Sequence, residues 1–496
     1  MSLWCVAGAP LSDGSGWRIW YATPNNQPFA ASGPGTVVVR RQGQVISTTQ
    51  QWRPKTAPAD LARQVGVLTV RLTKPAPGQD FEVSIAELAG RPPLLWQTMP
   101  TTIGPNGASL FLSSCFWQND DKEGYYRTAV QAILAQEKQP KPAFKLLIGD
   151  QLYLDWPSSL DFDSAGKNTA QRYEQYWGDE AYRDVLLATP NFFLCDDHEY
   201  WNDFPDKQIQ LERTWTQKSR DEYTAAANQF YEAFQAANNG EPHRWFQINI
   251  SPVSFFVTDT RSDRTPANDP NPHFMGSKQF DELKEWQVKL TGPGILILGQ
   301  PLFQKDGDYK DHSLSNFEQD YRALTGLIAD SLDGRNEAKQ PHDILVLSGD
   351  IHTGRHARAW VPSQIPGRAG NFVHELIASP ASRVLVSSTF DGQPDPELPP
   401  ASIPPTPHAG DARWTIGSDG DVLFTTIDNN IGVLRLFPSA KNQGGVRVEF
   451  GSYLVRRCHQ PLWKRSWFSS DSPQKQFASG AVSLYESRNK TLIELR

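Results

Sequence analysis

The sequence predicts an α/β fold preceded by a small all-β unit. Short β-rich runs separated by Pro, Gly and Asn fill roughly the first 105 residues. Beyond about residue 108, apolar runs of strand length alternate with longer segments whose apolar residues have helical spacing, and the chain is β-rich again from about residue 420. This alternation of strands and helices indicates sheets covered by helices.

The N-terminal unit is predicted over residues 1–105 as an immunoglobulin- or fibronectin-like β-sandwich. Its strands are indicated by the runs "RIWYAT", "TVVVRRQGQVIST", "GVLTVRLT" and "DFEVSIAEL". The segment "KPAPGQD" predicts a turn, because proline fixes φ and glycine permits a positive φ. The stretch "LLWQTMPTTIGPNGAS" predicts a linker to a catalytic unit over residues 106–460. Residues 461–496 form a C-terminal extension for which the sequence indicates no role.

The second unit contains segments with helical spacing of apolar residues. They are "KEGYYRTAVQAILAQEK", "RYEQYWGDEAYRDVLLAT", "RDEYTAAANQFYEAFQAAN", "SKQFDELKEWQVKL" and "NFEQDYRALTGLIADSL". Residues 385–412 are rich in Pro and Ser and predict a long loop.

Composition excludes several classes of protein. The 16 Trp and 25 Phe argue against disorder, and a net charge of −7 gives no support for nucleic-acid binding through bulk charge. No run reaches the roughly 18 to 20 apolar residues of a membrane helix. The N-terminus shows no export signal, which favours a cytoplasmic protein, although a periplasmic or secreted protein whose signal was removed would read the same. The sequence does not indicate an oligomeric state.

Apolar runs of the second unit end in side chains that bind metals or polar ligands. These strand ends carry Cys115, Asp150, the trio Asp196, Asp197 and His198, the pair Asp259 and Arg261, Gln300, and the pair Asp350 and His352. A single acid after a strand is more simply a helix cap or a turn residue. Six such ends in one region instead predict a ligand site, because ligands bind at the carboxyl edge of α/β sheets.

The chemistry of these side chains indicates metal ions. Carboxylates crowded together repel one another, and burial raises their pKa values, so a bound cation would stabilise the cluster. Oxygen ligands combined with an imidazole and a thiolate suit a mixed pair of metals better than a structural zinc ion. Hydrolysis of phosphoesters is the reaction that a two-metal site most naturally supports.

The segments "SSC", "GDQLY", "CDDHEYWND", "FVTDTR", "HFMGSKQFDELKEW" and "LSGDIHTG", in this order, resemble the PhoD-like alkaline phosphatase family of the calcineurin-like metallophosphoesterase superfamily. The resemblance runs from about residue 30 to 455. It implies an α/β (α+β) fold of four layers, a β-sandwich flanked by helices. It also implies a metal-dependent phosphoesterase, in which a metal-bound hydroxide attacks phosphomonoesters or phosphodiesters at a bimetallic site.

The resemblance further implies metal ligands, with Fe3+ and Ca2+ as the favoured ions. Asp150 would bridge the two metals. Cys115, Tyr153 and His352 would bind the ferric ion. Asp197, Asn202 and Asp350 would serve the second, harder metal. His198 would protonate the leaving oxygen or hold the phosphate, and Arg261 would bind phosphate oxygens.

Simpler interpretations of several residues stay open at this level. Tyr153 has the position of a packed aromatic residue, and Asn202 has the position of a turn residue. Cys195 lies inside a strand and is expected in the core. His356 follows His352 by four residues but lacks the Glu of a zinc protease motif, so we place it outside the site.

Two other functions compete with phosphoester hydrolysis. A phosphatase fold that has lost activity could serve as a binding protein, since fold does not fix function. A two-metal hydrolase could also act on an ester without phosphorus. Every matched ligand position holds a metal-capable side chain, which favours an active enzyme. Gln300 departs from the superfamily pattern, because a metal-binding histidine is common at that strand end.

Overall fold

The computed structural model describes residues 4–23, 29, 33–121, 123–137, 140–155, 163–208, 211–240, 244–304, 313–382, 398–403, 414–416, 421–441, 444–457, 475–476, 482–486 and 491–496. Most of the predicted Pro-rich loop at 385–412 and most of the C-terminal extension lie outside these residues, and the described part of that loop includes a short strand at Ser402–Ile403. Among the helices of the described part, none has the length and apolar character to cross a membrane.

The described strands form four sheets and are numbered here in chain order. They are β1 (Trp4–Pro10), β2 (Gly16–Ala22), β3 (Val37–Arg41), β4 (Gln44–Ile46), β5 (Thr48–Lys55), β6 (Val65–Leu72), β7 (Asp80–Ile85), β8 (Leu94–Gln97), β9 (Ala108–Ser113), β10 (Pro142–Ile148), β11 (Asn191–Leu194), β12 (Phe246–Ile250), β13 (Val253–Val257), β14 (Gly294–Ile297), β15 (Ile344–Ser348), β16 (Gly354–Val361), β17 (Asn371–Ile377), β18 (Ser402–Ile403), β19 (Trp414–Thr415), β20 (Val422–Thr426), β21 (Asn430–Pro438), β22 (Val446–Arg457), β23 (Lys475–Gln476), β24 (Val482–Glu486) and β25 (Thr491–Leu495).

The helices all lie in connections between strands of the two large sheets. They are α1 (Tyr125–Gln136), α2 (Ala165–Gly178), α3 (Glu180–Ala188), α4 (Gln217–Tyr231), the short α5 (Ala237–Asn239), α6 (Ser277–Val288) and α7 (Glu318–Leu332). A π-helix at Glu232–Ala236 joins α4 to α5. The segment around residues 172–189 is two helices rather than one, because Asp179 caps α3 by accepting a hydrogen bond from the Tyr182 amide at 2.8 Å.

Two four-stranded antiparallel sheets occupy the N-terminal region, with strand orders β1-β2-β6-β5 and β4-β3-β7-β8. Their inward side chains form one cluster that includes Trp17, Phe81 and Trp96. Trp96 also donates a hydrogen bond from Nε1 to the Leu187 carbonyl at 2.8 Å, so the cluster contacts the end of α3. The predicted boundary at residue 105 stays a prediction.

Two larger sheets follow. The first large sheet has the order β11-β10-β9-β21-β22-β24-β23, with β25 also paired to β22. The second large sheet has the order β12-β13-β14-β15-β17-β16-β19-β18, with β20 paired to β16. Strands β9, β10 and β11 run parallel to one another, as do β13, β14, β15 and β17. Their carboxyl ends therefore lie at common edges.

The apolar runs are buried on both faces, which explains why they show no alternation of polar residues. One face of each large sheet contributes to a shared cluster that includes Leu110, Leu146, Ile295 and Leu345. The other face of the first large sheet packs with α1 to α4. The other face of the second packs with α6 and α7. Mixed α/β architecture is therefore confirmed.

The last described residues belong to this core. Ile493 and Leu495 of β25 are buried in the cluster shared by the two large sheets. The Arg496 carbonyl accepts a hydrogen bond from the Asp343 amide at 2.9 Å, next to the start of β15. Residues 491–496 thus join the first large sheet to the beginning of a strand in the second.

Candidate metal centre

Strand ends of both large sheets bring acidic, histidine and cysteine side chains together. Three groups have ligand atoms within 4.8 Å of one another. The groups are Cys115, Asp150 and His352; Asp150, Asp197 and His198; and Asp196, Asp197 and Asp350. Asp150 and Asp197 each occur in two groups, so the three form one connected cluster. The cluster combines the ends of β9, β10, β11 and β15.

Cys115 lies at the centre of a hydrogen-bonding environment. Its Sγ is 3.3 Å from Asp150 Oδ2 and 3.3 Å from the Asp350 carbonyl oxygen. The hydroxyls of Ser379 and Ser114 lie 3.2 and 3.4 Å from the sulfur. Burial, together with the charge of Asp350, raises the pKa of the Cys115 thiol to about 12. A cation at this place would be needed to hold the sulfur as a thiolate.

Tyr153 and His352 meet on the same side of the cluster. The Tyr153 hydroxyl lies 3.1 Å from His352 Nε2. The His352 amide donates to Ser379 Oγ at 3.1 Å, which ties the backbone of the histidine to the serine beside Cys115. Burial raises the pKa of Tyr153 well above its usual value. The structure therefore places Tyr153 beside His352, which belongs to one ligand group with Cys115 and Asp150.

Asp150 carries the strongest indication of a cation. It is buried, and no described group donates a hydrogen bond to its Oδ1. Burial raises the pKa of Asp150 well above its usual value, and the neighbouring charges of Cys115 and Asp197 act in the same direction. A buried carboxylate oxygen that faces other acids is stabilised by a bound cation. The donor set therefore fits metal ions.

Asp350 stands at the other side of the cluster and is held by Gln300. The Gln300 amide nitrogen donates to Asp350 Oδ2 at 3.2 Å, and its oxygen accepts from Arg264. Gln300, which lies at the strand end where the superfamily often has a histidine, thus orients Asp350. Asn202 is tied to the site through its backbone, because its amide donates to Asp155 Oδ2 at 3.0 Å.

His198 forms a pair with Asp155. Its Nδ1 lies 2.8 Å from Asp155 Oδ1, and its ring packs against Tyr153 with a centroid separation of 4.0 Å. The side chain keeps 14% of its surface exposed. Burial alone would lower the pKa of His198, but the carboxylates of Asp155 and Asp197 raise it to about 10. The imidazole is therefore set up to carry a proton at the edge of the cluster.

Arg261 and Asp259 are both buried and contact neighbouring protein groups. The guanidinium of Arg261 is fully buried, donates from Nε to Asp196 Oδ1, and lies 3.8 Å from Asp197 Oδ1. The guanidinium thus pairs with the two aspartates, and a contact of Arg261 with phosphate oxygens stays a prediction. Asp259 accepts hydrogen bonds from the amides of Arg261 and Ser262 at 2.9 and 2.8 Å, as a turn residue does.

Residues that the sequence analysis did not single out also belong to the site. Asp155 holds His198, and its only sequence signal is an acid five residues after Asp150. Ser379 links Cys115 to His352 but lies on a strand end that carries no titratable group. Glu199 accepts hydrogen bonds from Asp150 and Asp196 backbone amides at 2.9 and 3.0 Å. In the sequence, the signal for Glu199 is its place at the end of the run "DDHE".

Comparisons with known proteins identify a family and a similar fold. The family model for PhoD-like phosphatases matches residues 110–409, which is more than half of the chain. A comparison with curated proteins finds no match. The solved structure of PhoD is similar in fold, with a TM-score of 0.57 at 15% identity over 90% of this chain and 85% of that chain. The family match covers every predicted site residue.

Proposed function

Because the chain belongs to the PhoD-like phosphatase family, we propose that it is a metal-dependent phosphoesterase that hydrolyses phosphomonoesters or phosphodiesters at a bimetallic site. The connected cluster of acidic, histidine and cysteine ligand atoms at the strand ends carries this proposal. Such a cluster is costly to bury without cations, and a family of phosphatases supplies the reaction class that would use them.

We assign the ligands by the chemistry of their donor atoms. The Cys115 sulfur, the Tyr153 oxygen and His352 Nε2 suit a ferric ion, because anionic thiolate and phenolate donors stabilise a higher charge. Asp197, Asp350 and Asn202 offer oxygen donors, which suit Ca2+. Asp150 lies between the two sets and would bridge them. When bound, such ions would polarise the phosphoryl group, activate water and neutralise developing charge.

We assign the proton transfer to His198. Its Nδ1 is engaged by Asp155, so Nε2 is the nitrogen that would give a proton to the leaving oxygen. Asp155 fixes the ring and favours the protonated imidazole, as the raised pKa of His198 indicates. Arg261 would act indirectly, by holding Asp196 and Asp197 in place through its buried guanidinium.

We also propose the finer description of the fold. The shared core between the large sheets and the helices on their outer faces support a four-layer arrangement for residues 106–460. The two small sheets with their own aromatic cluster support an N-terminal sandwich over residues 1–105. The boundaries of these units can be tested by limited proteolysis.

Elemental analysis of protein purified without chelators tests the site before any substrate is chosen. We expect more than one metal ion per chain, and hydrolysis of p-nitrophenyl phosphate, of bis(p-nitrophenyl) phosphate, or of both. Inhibition by phosphate or vanadate would separate a phosphoesterase from a hydrolase of other esters. Protein that binds no metal and turns over neither ester with any added cation would refute the proposal.

A further inference from the structure

Glu199 lies beneath the metal centre and contacts the backbone of both loops that supply its aspartates. Its Oε2 accepts hydrogen bonds from the amides of Asp150 and Asp196 at 2.9 and 3.0 Å. Its Oε1 accepts from the amide of Gln151 at 2.7 Å. The side chain is fully buried. One carboxylate therefore bridges the loop after β10 and the loop after β11.

These hydrogen bonds satisfy donors that the sheet itself leaves without partners. Asp150 has a φ of 53°, a left-handed conformation that ends the regular strand pairing of β10. Buried amide groups that lack an acceptor destabilise a fold by about 1 to 3 kcal/mol each. Glu199 is thus the group that makes this strained loop conformation tolerable.

A π-helix holds Glu199 from the other side. Gln235, within Glu232–Ala236, donates from Nε2 to Glu199 Oε1 at 3.3 Å. Four residues on, the Asn239 side chain exchanges hydrogen bonds with the backbone of Phe193 in β11 at 2.7 and 2.8 Å. The π-helix and α5 therefore contact β11 and Glu199 together. Single π-turns of this kind often occur at functional sites.

The N-terminal sheet anchors this π-helix. Trp20 in β2 donates from Nε1 to the Ala233 carbonyl at 2.6 Å, and it is fully buried. Arg18 in the same strand donates to the carbonyls of Asn238 and Asn239 at 3.3 and 2.8 Å. A continuous set of contacts thus runs from β2 through Gln235 and Glu199 to the aspartates of the site.

We infer that Glu199 is a positioning residue of the metal centre, supported by the π-helix, and that it sets the separation of Asp150 from Asp196 and Asp197. It acts through the backbone of those residues and contacts neither substrate nor metal. The inference rests on the proposed function for its consequences in catalysis. Its structural part, the fixing of two loops, is independent of metal.

Glu199→Gln tests this inference because it keeps the volume and replaces one acceptor oxygen by an amide donor. In the metal-free protein, we expect hydrogen exchange at the amides of Asp150, Gln151 and Asp196 to become at least about tenfold faster. We expect metal affinity, measured by calorimetric titration, to fall about 10- to 100-fold. At saturating metal, kcat should fall while KM changes little.

A merely structural role would lower the unfolding midpoint and leave the other readouts unchanged. Asp320→Asn is the matched control, because Asp320 is also a buried carboxylate that accepts a backbone amide, that of Phe274 at 3.0 Å, outside the cluster. It should leave metal affinity unchanged. Gln235→Leu should shift amide exchange in the same direction by a smaller factor, and it carries the test if Glu199→Gln does not fold.

Two outcomes would overturn the inference: unchanged exchange at the three amides, or unchanged metal affinity in a wild type that binds metal. A wild type that binds no metal would refute the proposed function instead. In that case the amide-exchange comparison between Glu199→Gln and wild type would decide alone whether Glu199 fixes the loops.

Discussion

Replacing Asp150 with asparagine is expected to uncouple the stability of the protein from metal ions. Asp150 belongs to two of the three ligand groups, and its ligand atom lies within 4.8 Å of that of Asp197. Two ionised carboxylates at this separation repel by about 3.5 kcal/mol at an effective dielectric constant of about 20, and the raised pKa of Asp150 reflects burial together with this repulsion. Asparagine removes this repulsion with almost no change in volume. The metal-free variant should therefore be at least as stable as the metal-free wild type.

Thermal unfolding with and without a chelator measures this effect. A ligand at 100 times its Kd stabilises the folded state by about 2.7 kcal/mol, so chelation should lower the Tm of the wild type clearly. The Asp150→Asn variant should lose most of this response, because both ligand groups that contain Asp150 lose an anionic oxygen. Its metal content, measured by elemental analysis, should fall in parallel, and hydrolysis of p-nitrophenyl phosphate should be abolished.

The Asp320→Asn variant again provides the control. Asp320 accepts from His273 Nδ1 at 3.0 Å, so its loss removes a buried charge and a hydrogen bond without touching the cluster. It should lower Tm in both conditions equally and retain the full chelator response. An Asp150→Asn variant with the metal content and chelator response of the wild type would show that Asp150 is not a ligand.

Further predictions concern the proton donor, a buried histidine pair and the C-terminal strand. Asp155→Asn should slow the hydrolysis of alkyl phosphates, which have poor leaving groups, by about 10²-fold, because the substitution removes the carboxylate that holds His198. Hydrolysis of p-nitrophenyl phosphate should slow far less. Equal slowing of both substrates would contradict a role of His198 as proton donor. Burial lowers the pKa of His356 to about 3 and that of His374 to about 4. Both histidines thus stay neutral in the folded state but gain protons in the unfolded state below about pH 6.5. The free energy of unfolding should therefore be highest above that pH and fall below it by about 1.4 kcal/mol per histidine per pH unit. Urea unfolding from pH 7 to 5 checks this, and His356→Asn should flatten the slope. Ile493→Ala should cost about 2 to 5 kcal/mol in urea unfolding if β25 is part of the core, and a cost near zero would place it outside.

The sequence was sufficient for the parts of the fold that repeat a pattern. The apolar runs ending at Cys115, Asp150 and Asp350 are strands β9, β10 and β15, and the helical segments are helices, because long periodic patterns override local detail. The rule that ligands bind at the carboxyl edge of α/β sheets also predicted the cluster, since neighbouring parallel strands end at one edge. The same rule included Asp259, which is a turn residue, because an acid after a strand serves either purpose.

The residues that position the proposed ligands could not be predicted from the sequence, for a different reason. Asp155, Glu199 and Ser379 act through partners that are 43, 49 and 264 residues away in the chain, at His198, Asp150 and Cys115 respectively. No periodicity or short motif records such a contact. The surroundings of Arg261, which the family resemblance implied as a phosphate ligand, were equally beyond local patterns, because tertiary packing buries the guanidinium against Asp196.

Backbone conformation at the strand ends explains why local rules fail at this site. Cys115, Asp150, Asp350 and His352 have φ values of 57°, 53°, 70° and 50°. A non-glycine residue in this region costs about 1 to 2 kcal/mol, so a local rule would predict glycine at each position. Glycine could not supply a ligand. The conformation persists because hydrogen bonds around it fix the loops, such as that from the Phe116 amide to the Asp150 carbonyl at 2.8 Å. The backbone strain thus lies at the strand-end residues that supply the ligands. Buried groups next to them, Glu199 above all, accept or donate the hydrogen bonds that offset this strain.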